Sequence, residues 1–346
     1  MHTILILNPA SGASSLASDH HMGPEGLEQT IIEALQNAGL QPEVRYTTPE
    51  DHGDGLARQA AAERADLVIA AGGDGTLHAV ANGLVGTKSA LGIIATGTMN
   101  NIARSLHISE DIAQACDIIA HGETCQIDVG RINGTIFLEV AGIGLEAALF
   151  PAAEEFKSAG LLTTIKGIWN GFSTLWRFRP SRFRATFDGR RSRSFRAIQV
   201  SVCNTPYYGA RLQFAPNAVM DDGFLDVLIY RNFSKLEYIR HAIAISRGQR
   251  ALEPKLRRRK IKSLSIATDT PLEIHADGNP LGYTPATIVI EPAALHVRIP
   301  KQVATSHNVV NEDKKDTQIY QKAHDNTVSE KLRIKSPLRE KAEFVE

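Results

Sequence analysis

The chain has 346 residues, of which 43% are hydrophobic, and its 38 Lys and Arg residues balance 38 Asp and Glu residues to a formal net charge of zero. This length predicts about two domains, and the balanced charge excludes the broad positive field of a nucleic-acid-binding protein. Cys116, Cys125 and Cys203 have neither an even count nor metal-ligand spacing, so they predict reduced thiols in a cytoplasmic protein. No apolar run reaches the length of a membrane-spanning helix, about 18 residues.

Strands and helices alternate over the first part of the chain. The predicted elements are, in order, Thr3–Leu7, a helix near residues 27–38, Glu43–Thr47, a helix near residues 56–64, Leu67–Ala71 and Leu91–Ala95. Because such alternation is typical of a parallel sheet with helices on its faces, residues 1–128 predict an α/β domain with a parallel, helix-covered sheet.

Short β-prone runs separated by turn signals follow from residue 129 to about residue 300. They lie at Thr135–Val140, Phe183–Asp188, Ser194–Cys203, Leu225–Tyr230, Ile261–Ala267, Pro271–His275 and Thr287–Glu291. This pattern predicts an antiparallel β-sandwich as the second domain. Residues 301–346 are polar and mixed in charge, and they predict a disordered tail.

Three strands of the first domain run into loops rich in Gly, Ser, Thr and Asn. These loops read Asn8-Pro9-Ala10-Ser11-Gly12, Gly72-Gly73-Asp74-Gly75-Thr76-Leu77 and Thr96-Gly97-Thr98-Met99-Asn100-Asn101. One such loop is more often ordinary turn chemistry than a binding site. Three of the same polarity favour a site, because ligands of open α/β sheets bind outside the carboxyl ends of the strands.

The loop at residues 72–77 gives the most specific indication of a ligand. Its glycines let backbone N–H groups approach a ligand closely, and the helix that follows directs its positive N-terminus at that ligand, which suits a phosphate. The Asp74 carboxylate would repel a phosphate unless a cation lay between them. The loop therefore predicts a nucleotide phosphate bound with Mg²⁺.

An aromatic and basic segment lies at residues 160–196. Trp169 and Trp176 share one apolar helical stripe, and Asp188 is the only acid among the eight arginines that follow, Arg177, Arg179, Arg182, Arg184, Arg190, Arg191, Arg193 and Arg196. Two interpretations stay open. One is a helix packed in the core beside a solvated hairpin; the other is a membrane surface anchored by the tryptophans and attracted to anionic lipid by the arginines. The second predicts a peripheral membrane protein whose substrate is dissolved in the bilayer.

With further motifs downstream, these loops resemble the diacylglycerol kinase catalytic superfamily over about residues 2–300. The downstream motifs are Ile127-Asp128-Val129-Gly130, Ala215-Pro216-Asn217-Ala218, Asp221-Asp222-Gly223-Phe224-Leu225-Asp226 and Ala276-Asp277-Gly278. The resemblance implies the same two domains, with the last strand returning toward the first. It also implies an ATP- and Mg²⁺-dependent kinase acting on the hydroxyl of a diacylglycerol-like or sphingoid lipid. NAD kinases are more distant relatives, and the aromatic and basic segment argues against their water-soluble substrate.

The resemblance also implies the roles of individual residues. It assigns ATP binding to Asn8, Pro9, Ala10, Ser11, Gly12, Thr48, Gly72–Leu77, Gly97 and Thr98. It assigns the catalytic Mg²⁺ and its waters to Asp74 and Asp128, with Asn101 between them. A second, structural Mg²⁺ is implied at the Val219 carbonyl, the Asp222 carboxylate and the Phe224 carbonyl.

The chain departs from this family at three positions. The usual Asp-Gly-Glu, whose Glu is taken as the general base, reads Asp277-Gly278-Asn279, and an amide cannot accept a proton at neutral pH. Asn101 replaces a second carboxylate, and His78 stands where bacterial members usually carry Asn. Asp74 or His78 would then serve as the base. The alternative is a degenerate member that binds nucleotide or lipid without phosphoryl transfer.

The sequence leaves the oligomeric state open and is compatible with a homodimer.

Overall fold

The computed structural model describes residues 1–11, 24–149, 170–171, 173–209, 212–231, 233–247 and 255–301. Gly12, Trp169 and the predicted tail from residue 302 lie outside the described residues. The helices are α1 (Pro24–Asn37), α2 (Asp54–Ala62), α3 (Asp74–Leu84), α4 (Asn101–Ser105), α5 (Ile112–His121) and α6 (Lys235–Ser246). None of the helices in the described part is long and apolar enough to cross a membrane.

The strands form one large mixed sheet, one antiparallel sheet and a small two-stranded ribbon. They are β1 (Thr3–Leu7), β2 (Glu43–Tyr46), β3 (Leu67–Gly72), β4 (Ala90–Ala95), β5 (Glu123–Ile132), β6 (Thr135–Phe137), β7 (Val140–Gly144), β8 (Ser181–Phe187), β9 (Arg193–Ala197), β10 (Gln199–Cys203), β11 (Tyr207–Tyr208), β12 (Leu212–Gln213), β13 (Leu225–Tyr230), β14 (Leu256–Ile261), β15 (Ser263–Thr268), β16 (Glu273–Ala276), β17 (Asn279–Tyr283) and β18 (Ala286–Ile299).

The N-terminal part of the large sheet has the order β2-β1-β3-β4, and these strands run parallel. Every residue of β1, β3 and β4 is buried, which is typical of parallel strands covered on both faces. One face packs against α1 and α5 through side chains such as Leu35 and Ile119. Helices α2 and α3 pack against each other and against the same strands. This part confirms the predicted parallel, helix-covered sheet.

Strand β18 carries the large sheet onward into the C-terminal part. Near its end it pairs in parallel with β4, at His296 and Val297. It also pairs antiparallel with β5 along most of its length and with β15 near its start. A bulge between Glu291 and Leu295 interrupts its pairing with β5. Strand β18 thus joins the C-terminal strands of the large sheet to its parallel part at β4.

The second sheet has the order β14-β13-β10-β7-β16-β17 and is antiparallel throughout. Its inner face packs against the C-terminal part of the large sheet, where Phe137, Phe183 and Ile288 are fully buried. Its outer face packs against α6 through side chains that include Tyr230 and Tyr238. Two sheets packed face to face confirm the predicted β-sandwich.

The structure corrects the predicted strands at two places. Thr135–Val140 is not one strand, because residues 138–139 form a loop between β6 and β7. Ser194–Cys203 is two strands, since the chain leaves the large sheet after β9 and enters the second sheet with β10. Strand β5 was not predicted, and it passes continuously through residue 128, where the sequence placed a domain boundary. That boundary and the one at residue 300 stay predictions.

Candidate active site

The loops that follow β1, β3 and β4 meet at one edge of the parallel sheet. Asn8 Nδ2 donates a hydrogen bond to Thr76 Oγ1 at 3.0 Å, and the hydroxyls of Ser11 and Thr96 are also 3.0 Å apart. The backbone N–H of Thr96 donates to the carbonyl of Gly72 at 3.0 Å. The structure therefore brings together the three loops that the sequence singled out.

Glycines in these loops serve two different purposes. A Cβ on Gly97 would lie 2.5 Å from Gly73 Cα, and a Cβ on Gly72 would lie 2.5 Å from Thr76 Cβ, so both positions need glycine for packing. A Cβ on Gly75 would meet nothing within 4 Å, because Gly75 faces open space in the first turn of α3. That open first turn, with its backbone N–H groups, is a cradle suited to a phosphate.

The remaining predicted nucleotide residues lie in the loops that follow β1 and β2, two strands of the same parallel sheet. Pro9 and Ala10 are exposed in the loop after β1. Thr48 is exposed in the turn after β2, where its Oγ1 accepts a hydrogen bond from the N–H of Asp51 at 3.1 Å. A pocket opens beside the loop after β4, lined by Leu27, Ala95, Thr96, Gly97, Asn100, Glu110 and Ile112.

Asp74 is the first residue of α3 and connects two helices. Its carboxylate oxygens accept hydrogen bonds from the N–H groups of Asn101 and Ile102 at the start of α4, at 3.2 Å each. Burial raises the pKa of Asp74, and the negative charge of Asp277 raises it further, against the lowering effect of those two hydrogen bonds. Desolvation and a neighbouring carboxylate both disfavour the ionised form of an acid. A cation bound beside Asp74 would therefore stabilise the ionised form of its carboxylate.

Asp277 lies on the same side of the site but is fully engaged with backbone. It occupies the turn between β16 and β17 with a left-handed φ of 45°. Its carboxylate accepts hydrogen bonds from the N–H groups of Leu138 at 2.7 Å, Glu139 at 2.9 Å and Val140 at 2.8 Å. His78 Nε2 lies 3.6 Å from Asp277 Oδ2 and 3.2 Å from the carbonyl oxygen of Ile136. The role of Asp277 is therefore to position the loop at residues 138–139.

Glu139, which the sequence interpretation missed, belongs to this acidic cluster. Its side chain is buried, at 4% exposure. Burial raises its pKa well above the ordinary range, and the charges of Asp277 and Asp74 add to this effect, while a hydrogen bond with the Asn101 side chain opposes it. In the sequence, the one signal for Glu139 is that its carboxylate interrupts the apolar run at residues 136–150. A Glu between two β-prone segments is more typical of an edge strand than of a buried site. The structure brings Asp74, Glu139, Asp277, Asn101 and His78 together.

Asn279 lies next to this cluster and outside it. It begins β17, opposite Ala276, and its side chain is exposed. The position of the usual family Glu is therefore at the rim of the site in this chain.

Asp128 belongs to a different group from Asp74. Its carboxylate accepts hydrogen bonds from the N–H of Ala293 at 2.8 Å, within the β18 bulge, and from the N–H of Gly223 at 2.6 Å. Burial raises the pKa of Asp128, and the charges of Asp222 and Asp221 add to the increase. The structure thus ties Asp128 to the loop at residues 219–224, whereas the sequence interpretation paired it with Asp74.

Asn204 connects the two groups and was also missed. Its Nδ2 donates to the carbonyls of Asp128, at 2.9 Å, and Leu138, at 3.0 Å. It is buried directly after β10, at 1% exposure. Because these carbonyls belong to Asp128 itself and to the residue before Glu139, Asn204 fixes the spacing between the two groups.

The residues of the implied second Mg²⁺ site do not fit a divalent ion as they lie. Asp222 forms an ion pair with the Lys260 ammonium, which also lies 3.3 Å from Asp226. The second Asp222 oxygen accepts from the N–H of Phe224 at 3.0 Å. Lys260 therefore supplies beside Asp222 the positive charge that a divalent ion shared with the Val219 and Phe224 carbonyls would otherwise supply.

The residues around Asp74 do fit a single Mg²⁺. The Asn101 Oδ1 atom is buried with no hydrogen-bond partner among the described residues, so it is an unused oxygen acceptor beside a carboxylate. Within the described residues, no group of three or more His, Cys, Asp and Glu forms a closed metal site. Mg²⁺ usually takes one or two protein oxygens and completes its shell with phosphates and water, so Asp74 and Asn101 would be enough to hold it.

Comparison with known proteins now decides the family. Residues 2–132 match the diacylglycerol kinase catalytic domain, and residues 140–299 match the YegS C-terminal NAD kinase beta sandwich-like domain. The chain belongs to the diacylglycerol kinase catalytic superfamily. The first match covers β1 to β5 with helices α1 to α5, and the second covers β7 to β18 with α6.

Relatives within this superfamily match over nearly their whole length. The diacylglycerol kinase of Bacillus subtilis (strain 168) is 29% identical over 304 residues, which are 87% of this chain and 97% of that protein. The diacylglycerol kinase of Staphylococcus aureus (strain bovine RF122 / ET3-1) is 29% identical over 321 residues, 91% of this chain and 98% of that protein. A crystal structure from Bacillus anthracis strain Sterne is similar with a TM-score of 0.70 and 26% identity, covering 87% and 97% of the two chains. These relatives support a lipid kinase family.

Proposed function

We propose that the protein transfers the γ-phosphate of Mg²⁺-ATP to the hydroxyl of a diacylglycerol-like or sphingoid lipid. One observation carries the proposal: the open first turn of α3 begins with Asp74, whose carboxylate interacts electrostatically with the buried Glu139 and with Asp277. Phosphoryl transfer needs held phosphates, a metal ion to offset charge, and a group that orients the acceptor hydroxyl. All three requirements have residues at this edge of the sheet.

The loops hold the phosphates through backbone donors and short hydroxyls. The first turn of α3 presents its N–H groups at Gly75, and Ser11 and Thr96 border it from the neighbouring loops. Asp74 and Asn101 would hold Mg²⁺, which when bound neutralises charge on the transferring phosphoryl group. The two residues are tied together, because the Asp74 carboxylate accepts hydrogen bonds from the N–H groups of Asn101 and Ile102 at the start of α4.

Glu139 is the group best placed to receive the acceptor hydroxyl. Asp277 already accepts three backbone hydrogen bonds and Asp74 accepts two. Asn279 carries no carboxylate. We assign Glu139 to accept the hydrogen bond and the proton of the lipid hydroxyl, in place of the Glu that the family carries at the position of Asn279.

The experiment that tests this function is incubation with γ-labelled ATP, Mg²⁺ and a panel of acceptors in mixed micelles. The panel contains diacylglycerol, ceramide, sphingosine and, as a water-soluble acceptor, NAD. Label extracted with one of the lipids supports the proposal and identifies the acceptor. Label on NAD alone, or on no acceptor despite ATP binding, contradicts it.

A non-catalytic relative is the second candidate, because Asn279 replaces the usual base at the rim of the site. The two candidates differ in their response to Asn279→Glu. For a slow kinase we expect kcat to rise by up to about 10²–10⁴-fold, the usual range of general-base help, with little change in the KM for ATP. Steady-state kinetics check this, with Asn279→Gln as the matched control. A kcat that Asn279→Glu leaves unchanged would show that the rim position takes no part in transfer.

We further propose that the protein meets its lipid at a membrane through the outer face of α6. Leu236, Arg240, Ile243 and Arg247 are exposed and spaced three or four residues apart, so they share one face. Trp176 is 65% exposed beside this face, and the Lys235 ammonium lies 5.4 Å from the centre of its ring. An apolar and cationic face of this kind suits an anionic bilayer surface.

The double variant Trp176→Ala, Leu236→Ala is expected to stay folded and lose most of its binding to anionic vesicles. Both side chains are exposed, at 65% and 57%, so their removal leaves no cavity. Leu175→Ala is the matched control, because Leu175 is buried and its truncation should cost about 2–5 kcal/mol of stability without changing the outer face. Co-sedimentation beside thermal melting measures both effects. A folded double variant that sediments like the wild type would refute the membrane surface.

A further inference from the structure

A pocket with four arginines lies at the edge of the β-sandwich, away from the candidate active site. It is a cavity of about 450 Å³. It is lined by Phe187, Arg190, Arg191, Ser192, Arg193 and Arg259. We call it the arginine pocket. Three of its arginines come from the β8–β9 hairpin of the large sheet, and Arg259 comes from β14 of the second sheet. Both sheets thus contribute to one cavity.

The positive charge of the pocket is balanced locally only in part, by Asp188, which interacts with Arg259 and Arg190. Asp188, the acid of the hairpin turn, accepts hydrogen bonds at Oδ1 from the N–H groups of Lys262 at 2.7 Å and Ser263 at 3.2 Å. Its Oδ2 is 3.5 Å from the Arg259 guanidinium. In the part of the chain that the structure describes, Arg190, Arg191 and Arg193 have no carboxylate within ion-pair distance. Bringing four like charges together costs free energy unless an anion joins them.

One of the four guanidinium groups is held in place. Arg259 lies over the Phe187 ring with 4.8 Å between the guanidinium carbon and the ring centre, and its side chain is 29% exposed. The arginines of the hairpin are exposed at the rim, and Ser192 adds a hydroxyl donor. The fixed Arg259 and the exposed arginines of the hairpin together suit a tetrahedral oxyanion. One guanidinium group can donate hydrogen bonds to two phosphate oxygens at once.

We propose that the arginine pocket binds a phosphate monoester, at a site separate from nucleotide binding. The pocket is lined by β8 and β9, whereas the candidate active site lies at β1, β3 and β4, and β8 is three strands from β4 in the large sheet. The zero net charge of the chain shows that this concentration of arginine is local. The inference does not depend on the proposed lipid kinase activity. The phosphate belongs either to a soluble compound or to the headgroup of a lipid, and the two sources share this chemistry.

The test uses the full chain at constant ionic strength and two kinds of probe. The soluble probes are inorganic phosphate and glycerol 3-phosphate, measured by calorimetry. The lipid probes are phosphatidylcholine vesicles that contain phosphatidic acid or, at equal charge, phosphatidylserine, measured by co-sedimentation. The pocket variant is Arg190→Ala, Arg193→Ala. The matched control is Arg182→Ala, Arg184→Ala, on β8 of the same hairpin and outside the pocket.

We expect the pocket variant to bind one of the phosphate probes about 10–100-fold more weakly, the loss typical of charge-assisted hydrogen bonds, while the control binds normally. Loss of glycerol 3-phosphate or phosphate binding assigns a soluble ligand. Loss confined to phosphatidic acid vesicles assigns a lipid headgroup. Equal losses in both variants, equal binding to the two kinds of anionic vesicle without soluble binding, or no change in either variant would overturn the proposal.

Discussion

Asp74→Asn is expected to reduce phosphoryl transfer to lipid by about 10³-fold or more, the scale on which charge-stabilising groups act in phosphoryl transfer. Asp74 is the carboxylate at the open turn of α3, and Asn101 Oδ1 is the unused acceptor that would share its Mg²⁺. Initial rates with labelled ATP measure the loss. Asp66→Asn is the matched control, because Asp66 is exposed at the opposite end of β3.

The same substitution has an expected effect on stability. Because its folded pKa is raised, Asp74 contributes fully to stability only below its unfolded pKa, and that contribution is lost as the pH rises through the folded pKa. The melting temperature of Asp74→Asn should therefore improve relative to the wild type between about pH 4, near the ordinary Asp pKa, and neutral pH. Undiminished lipid phosphorylation would remove Asp74 from the mechanism, and a difference in melting temperature that does not change with pH would contradict the raised pKa.

Glu139→Gln is expected to lower kcat by about 10²–10⁴-fold, the usual range for a lost general base, with the KM for ATP nearly unchanged. Glu139 is buried beside Asp74 and Asp277, and those two carboxylates are already occupied by backbone N–H groups. Glu146→Gln is the matched control, since Glu146 is buried in the same apolar run but bonds to Gln199 and Ser201. Steady-state kinetics beside thermal melting separate a catalytic loss from a structural one.

A second substitution makes this prediction sharper. If Glu139 replaces the family base, the double variant Glu139→Gln, Asn279→Glu should regain activity over Glu139→Gln alone, because a carboxylate again reaches the acceptor. Full activity in Glu139→Gln would refute the assignment. A double variant as inactive as the single one would show that the rim position does not reach the acceptor hydroxyl in this chain.

The sequence predicted that the three loops meet at one edge of the sheet, because that geometry is local. Each of the loops at residues 8–11, 72–77 and 96–101 directly follows a buried parallel strand. Parallel strands end at the same edge of a sheet, so the position of each loop follows from its own strand. The contact between Asn8 and Thr76 joins residues 68 apart and still follows from this rule.

The positions of Glu139 and Asp128 depend on contacts with residues that are distant in the sequence, and no local pattern shows such contacts. Glu139 is held in its loop by Asp277, 138 residues away, and Asp128 is bound by Ala293, 165 residues away in the β18 bulge. Both partners come late in the chain, Asp277 in the turn between β16 and β17 and Ala293 in β18. A local pattern therefore predicts only a strand at Glu139 and a short motif at Asp128. The bulge leaves residues of β18 unpaired with β5 opposite Asp128, and the Asp128 carboxylate accepts the free N–H of Ala293 there.

The most direct test of the proposed function is formation of a lipid phosphomonoester from Mg²⁺-ATP and diacylglycerol or a sphingoid lipid, with the product identified by ³¹P NMR. We expect the wild type to form it, with loss of the product when EDTA removes Mg²⁺ and when Asn replaces Asp74. Nucleotide binding without any lipid phosphomonoester, under conditions in which the Bacillus subtilis relative forms one, would contradict the proposed kinase.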